Sequence, residues 1–219
     1  MRRVVRFLAG GLALWQLAGL AVLCWSLLRA PSHPTLPSGA MDDESTRLAA
    51  TINVPPAKRL AALHDLARVQ YDASRPLLAW RLFRLMESEI GPEDSTGMWG
   101  STVYNQGLAL DRSGFPAYAR DQFERLITSR VNDADAGPNL MTPTANYRHY
   151  AARMMAQTFE QEGNHIQALI WHHKAIKLYP YSSWCGTCSS GAQTAALVEL
   201  ARDAAKLGPL VMLGALIAS

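Results

Sequence analysis

From about Leu48 onward, apolar residues recur at i, i+3 and i+4, the spacing that lays one stripe along an α-helix. Leu60, Leu63 and Leu66-Ala67 form one such stripe, and Leu77-Leu78, Leu82 and Leu85-Met86 form another. No run alternates with period two over more than a few residues, and β-branched residues are sparse, so strands are not expected. Proline and glycine punctuate the stripes at Ser74-Arg75-Pro76, Gly91-Pro92, Gly114-Phe115-Pro116, Gly137-Pro138, Pro143, Gly163-Asn164 and Pro180. Such residues stop or start helices. The pattern predicts an all-α body of helices about 11–16 residues long.

A different pattern precedes the body. Phe7–Leu28 (FLAGGLALWQLAGLAVLCWSLL) is uncharged, with Gln16 and Ser26 its polar members. At about 1.5 Å per residue it reaches about 33 Å, enough for a hydrocarbon core of about 30 Å. Trp25 and Arg29 suit the interface. A signal peptide has a shorter apolar core and an A-x-A-like exit, but small residues wait until Ser38-Gly39-Ala40; a lipoprotein signal has small residues just before its Cys, but Leu23 precedes Cys24. An uncleaved single transmembrane helix is the expectation. Arg2, Arg3 and Arg6 precede the span and Asp42, Asp43 and Glu44 follow it, which predicts a cytoplasmic N-terminus and an extracytoplasmic body. That body lies in the periplasm or, the N-terminus being Arg-rich and acid-free, in a mitochondrial intermembrane space.

Pro31, Pro34 and Pro37 then mark an extended spacer, because proline fixes φ and lacks a donor. The chain divides into an anchor (1–29), a Pro-rich linker (30–47), a helical domain (48–208) and an apolar tail (209–219). Gly191–Leu207 reads as a final amphipathic helix. The tail Pro209–Ala218 (PLVMLGALIA) is too short to span a bilayer. It either packs on the helical core or docks on a partner or membrane surface.

Within the helical domain one unit stands out. Tyr150–Pro180 (YAARMMAQTFEQEGNHIQALIWHHKAIKLYP) places Ala156, Phe159, Gly163, Ala168, Ala175 and Pro180 at spacings that resemble a tetratricopeptide repeat, a helix–turn–helix of about 34 residues. Gly107, Leu110, Gly114, Ala119 and Phe123 repeat the spacing. Leu63, Leu66-Ala67, Ala79 and Phe83 give a third, weaker copy. The copies lie further apart than the family norm, and Asn132–Pro143 reads as an insertion. The resemblance implies antiparallel helix pairs stacked as a short solenoid, with small residues where the two helices cross and a closing helix over the last pair.

In that family the first helix of each pair lines a concave face that binds other proteins. The register places His64, Arg68 and Tyr71, then Tyr104, Leu108 and Asp111, then Tyr150, Arg153, Gln157 and Glu160 on that face. Tyrosine and arginine are enriched at binding hot spots, although an ordinary polar helix face has the same composition. The family's Lys/Asn clamp for C-terminal carboxylates is missing from these positions.

Charge excludes one class of partner. Arg2, Arg3, Arg6 and Arg29 precede residue 31 and all 18 acids follow it, so the net charge of +3 hides a nearly neutral body. A nucleic-acid binder shows a clustered basic surface instead.

Catalytic signals are few. Trp184-Cys185-Gly186-Thr187-Cys188 resembles the thioredoxin-type WCxxC site, where a strand feeds a helix whose N-terminus lowers the first thiol's pKa. Here the motif follows the end of a helix, with no βαβ pattern and no counterpart to the family's cis-proline loop. Cys185 and Cys188 are read as a structural disulfide or an idle thiol pair, with a membrane-tethered thiol–disulfide oxidoreductase as the alternative. Ser189 excludes a c-type haem site. Two thiolates make half a zinc site, and Cys24 is the only other cysteine. His165 and His172 are too far apart for an i, i+4 ligand pair, and His172 falls at a core position, so it reads as a satisfied core histidine beside an exposed His173. Glu160 and Glu162 diverge on their helix. No H-E-x-x-H, G-x-S-x-G, P-loop or G-x-G-x-x-G occurs. The expectation is a scaffold with no catalytic residue, metal or cofactor, whose partners are other proteins of a membrane complex.

Overall fold

The computed structural model of the chain describes residues 34–37, 39–90, 98–129, 147–181 and 186–207. The chain divides at Pro34 into two units, and every helix described belongs to the second. The span Phe7–Leu28, the insertion Asn132–Pro143, Cys185 and the tail Pro209–Ala218 lie outside the described residues.

Among the described residues the body is all-α, with no strand. Its helices are α1 (Ala40–Ala50), α2 (Pro56–Asp72), α3 (Pro76–Ile90), α4 (Met98–Arg112), α5 (Pro116–Thr128), α6 (Tyr147–Gln161), α7 (His165–Lys177) and α8 (Gly186–Leu207). From α2 onward each helix packs on the next; in addition α1 packs on α3 and α4 touches α6. None of these helices is long and apolar enough to cross a membrane.

Proline sets the start of α2, α3 and α5, where its fixed φ suits a first helical turn that needs no donor. The α7 start is capped by Asn164, whose side chain accepts from the Gln167 N–H at 3.2 Å. Two boundaries differ from the sequence expectation. The first described helix begins at Ala40, inside the stretch read as linker. Asp42 receives the Gly39 N–H at 3.4 Å, and Ala49 is buried against Leu63 and Phe83 in a core shared with α2 and α3. Arg81 on α3 fastens this segment, donating to the Pro37 carbonyl at 2.6 Å and pairing with Asp42 at 2.8 Å. The last described helix begins at Gly186 rather than Gly191.

Three hairpins share one turn. The pairs α2–α3, α4–α5 and α6–α7 pass through Ser74, Gly114 and Gly163, all in the left-handed region at φ 60°, 81° and 74°. In each, the next residue's N–H bonds back into the preceding helix: Arg75 to Gln70 O at 2.9 Å, Phe115 to Leu110 O at 2.9 Å, Asn164 to Phe159 O at 2.8 Å. This is the Schellman closure of a helix C-terminus.

The positions around these turns also match. Ala67, Gly107 and Ala156 stand at one distance before the turn, and Ala79, Ala119 and Ala168 at one distance after it. All six are buried. A Cβ at Gly107 would overlap the Phe123 ring, so the α4–α5 crossing admits no larger residue. Phe83, Phe123 and His172 likewise occupy one equivalent position, each fully or almost fully buried.

Candidate functional site

Residues of α2, α4 and α6 carry the face singled out from the sequence. Its centre is aromatic. Tyr104 on α4 lies 6.0 Å from Tyr150 and 5.7 Å from Tyr147, both on α6. Tyr150 in turn lies 5.8 Å from Tyr181, and Tyr181 lies 5.6 Å from His149. Such ring pairs contribute about 0.5–1.5 kcal/mol beyond burial. Burial pushes the Tyr104 hydroxyl up to about 12, against the pull of the Arg153 charge. Tyr150 is raised by burial and by its hydrogen bond with Tyr181. These phenols stay neutral and offer hydrogen bonds rather than charge. Tyr147, the first residue of α6, and Tyr181, beyond the end of α7, extend the row; neither had a register position to mark it.

The other predicted face residues are unequal. Arg68 is exposed, and Tyr71 is half-buried under the Arg112 guanidinium, 4.6 Å from its ring centre. His64 packs edge-on against Phe83 at 5.8 Å. Leu108 packs into the core, and Gln157 is half-buried. Asp111 accepts from Gln161 at 3.4 Å through one oxygen, while the other is buried without a hydrogen bond. Burial raises its pKa.

Arg153 and Glu160 are already engaged by α8. The Arg153 guanidinium holds Glu199 at both oxygens, at 3.0 and 2.5 Å. Glu160 accepts from Arg202 at 2.7 Å and lies 3.6 Å from Lys206 Nζ. Glu162, by contrast, turns away to Arg120 at 2.9 Å, the divergence expected of residues two apart. The final helix thus closes the C-terminal end of the face, and the N-terminal end around Arg68 and Tyr71 is left more open.

Beneath α8 lies a cluster that no spacing motif announced. His172 on α7 and Asp203 on α8 are both fully buried. His172 Nε2 is 3.3 Å from Asp203 Oδ2, and its Nδ1 is 3.5 Å from Glu199 Oε2. Neither ring nitrogen makes a hydrogen bond of normal geometry, nor does Asp203 Oδ2. His172 therefore sits in the core as expected but is not satisfied there. His173 is half-buried, not exposed. One ligand atom each of Glu160, His172 and Asp203 falls within 4.8 Å of the others.

Electrostatics divide the two carboxyls of this cluster. Burial opposes the Glu160 charge, but hydrogen bonds from Asp203 and Arg202 and the Arg202 and Lys206 charges outweigh it and hold the group at about 2. For Asp203, burial and the Glu160 hydrogen bond push it up to about 6, against Lys206. Burial lowers the His172 pKa despite the Glu199 and Glu160 charges, so the imidazole is neutral.

Of the cysteine pair, Cys188 falls in the first turn of α8. Gly186, Thr187 and Cys188 of the motif belong to α8, which starts before the Gly191 expected from the sequence, and no strand precedes them among the described residues. The chain matches no protein-family model, no curated protein and no solved structure.

Proposed function

We propose that the chain is a membrane-anchored, tetratricopeptide-like scaffold that works through protein–protein contacts, as an accessory or assembly subunit of a membrane complex. The observation that carries this reading is the threefold recurrence of one hairpin, with Ser74, Gly114 and Gly163 at equivalent turns and small residues at equivalent crossings. Units of that kind cannot bury their apolar faces alone and are stacked to do so, which leaves long surfaces for partners. The α8 helix plays the closing role, burying Ala196 and Asp203. The uncharged run Phe7–Leu28 supplies the anchor, and the flanking arginines put the body outside the cytoplasm.

The partner face is centred on Arg68, Tyr71, Tyr104 and Tyr150, residues of the types that dominate interface energetics. A photo-reactive side chain at Arg68 in native membranes is the direct test. Adducts with a membrane-complex subunit are expected there and not from Asp121, exposed on the second helix of its pair. Equal labelling from both positions refutes the assigned face. Carbonate washing should leave the protein in the membrane fraction at full-length mass; release to the supernatant refutes the anchor.

A further inference from the structure

The position filled by Phe83 in the first hairpin and Phe123 in the second is filled by His172 in the third, at the same depth. An apolar ring serves that position twice, so the change to imidazole is not required by packing. What surrounds His172 is polar in a way the phenylalanines' surroundings are not. Asp203, Glu199 and Glu160 face it from α8 and α6.

Counting lone pairs and protons shows a deficit. A neutral imidazole has one N–H and one lone pair. If Nδ1 carries the proton and points it at Glu199, the Nε2 lone pair is aimed at Asp203 Oδ2, itself an acceptor. The Glu160 and Asp203 carboxylate oxygens that converge with the ring are acceptors as well, and no donor is aimed at Nε2 or at Asp203 Oδ2. Acceptor atoms of three residues (Nε2, a Glu160 oxygen and Asp203 Oδ2) therefore converge on one place. A buried polar atom without a partner is costly, and here two of the three, Nε2 and Oδ2, lack one.

We propose that Glu160, His172 and Asp203 form a binding site for a divalent transition-metal ion of the zinc class. One imidazole and two carboxylates are a donor set that such ions favour over calcium or magnesium, and three protein ligands leave a further position for water or a partner's side chain. Glu199 completes the arrangement as a positioning residue, since a ligating histidine commonly gives its other N–H to a carboxylate. On binding, the cation takes the place between these acceptors that no donor fills. Arg202 and Lys206, each with more than a third of its side chain exposed, swing outward as the metal takes over neutralising the acids. Such an ion ties α6 and α7 to α8, so it fixes the closing helix. The proposal stands apart from the scaffold reading, which needs no metal.

The full-length, untagged chain in detergent, stripped with a chelator, is to be titrated with Zn²⁺ against a chromogenic competitor. One equivalent should bind, and Co²⁺ in its place should give visible d–d bands of low coordination number. The chosen variant is His172→Phe, the residue the other two hairpins use; it should fold, with an unchanged helical spectrum, and lose the stoichiometric site. Glu199→Gln should keep the site and weaken it by about 10–100-fold. His165→Gln should leave it intact. Absence of one-equivalent uptake by the unmodified chain overturns the proposal, as does uptake that survives in His172→Phe. Should His172→Phe fail to fold, Asp203→Asn decides: retained uptake overturns the site, and lost uptake supports it.

Discussion

Gly107 on α4 lies so close to the Phe123 ring of α5 that the α4–α5 crossing has no room for a methyl group. In an open helix, replacing this glycine with alanine would stabilise by up to about 1 kcal/mol. Here the added carbon must displace a fully buried ring, and overpacking of that kind costs about 1–3 kcal/mol. Gly107→Ala should therefore lower the melting temperature, and Phe123→Leu in the same chain should recover part of the loss. A melting temperature raised by Gly107→Ala alone would show that the crossing is looser than drawn.

Ser74 holds a φ of 60°, where its two counterparts are glycine. A side chain in that region is strained, by about 1 kcal/mol or more. Ser74→Gly should stabilise the first hairpin, less the small entropy that glycine adds to the unfolded chain. Gly114→Ala and Gly163→Ala should destabilise theirs. Denaturant midpoints that move in the same direction for all three would break the equivalence of the turns.

Arg153 and Glu160 were expected to face a partner, and α8 holds both. Arg153→Ala should leave Glu199 half-buried and without its partner, a loss of about 1–3 kcal/mol. Its signature is amide exchange that speeds up along α8. Arg68→Ala should do the opposite, weakening capture of the partner with little change in melting. Reversed outcomes for the two residues would place the contact surface under the closing helix.

His149 gives a pH dependence. Its Nδ1 donates to the carbonyls of Tyr179 at 2.9 Å and Ala175 at 3.2 Å, while Nε2 is buried with no partner. Burial lowers its pKa below 6.5, aided by the Arg153 charge and opposed by those carbonyls and Glu199; the neighbouring Tyr150 is neutral. The unfolded chain takes up a proton first as pH falls. Stability is therefore full above 6.5 and declines below it, down to the folded-state pKa. Nitrogen-15 spectra should show the Nδ1–H tautomer and a titration midpoint under 6.5; a midpoint above that value would contradict the buried, neutral ring.

Cys185 and Cys188 should be found bonded to each other if the body faces an oxidising compartment. A loop that short confers little entropy on cross-linking, so changing both to Ser should lower the melting temperature slightly and spare partner binding. Turnover in an insulin-reduction assay, lost in Cys185→Ser, would replace the scaffold by an oxidoreductase.

What could be read from the chain was whatever repeats locally. The turn residues, the small residues at crossings and the burial of His172 all follow from spacing within one hairpin. The closing helix resisted, because its contacts depend on tertiary packing. Ala196, Glu199 and Asp203 lie on one stripe of α8, and two acids on an otherwise buried stripe were a legible signal that something polar waits opposite. Which residue waits there is not written in α8. The early start of α1 was hidden for a similar reason: its sequence is polar, and its order comes from Arg81 on a distant helix. Tyr147 and Tyr181 join the aromatic row from segments at the ends of helices, where periodicity stops.

Since each helix from α2 onward rests on the one that follows it, nearly every favourable contact is made between stretches of chain that are close in sequence. Folding then demands little long-range search, and chains of this type fold quickly for their size. It also gives the process a direction. As the polypeptide emerges from the ribosome, α2 and α3 can close while α6 is still unmade, and each later hairpin finds a finished template beside it. Only the α8 step differs: until that helix arrives, His172 and Glu160 lie uncovered, and the third hairpin waits with a polar face for the acids that will pack on it.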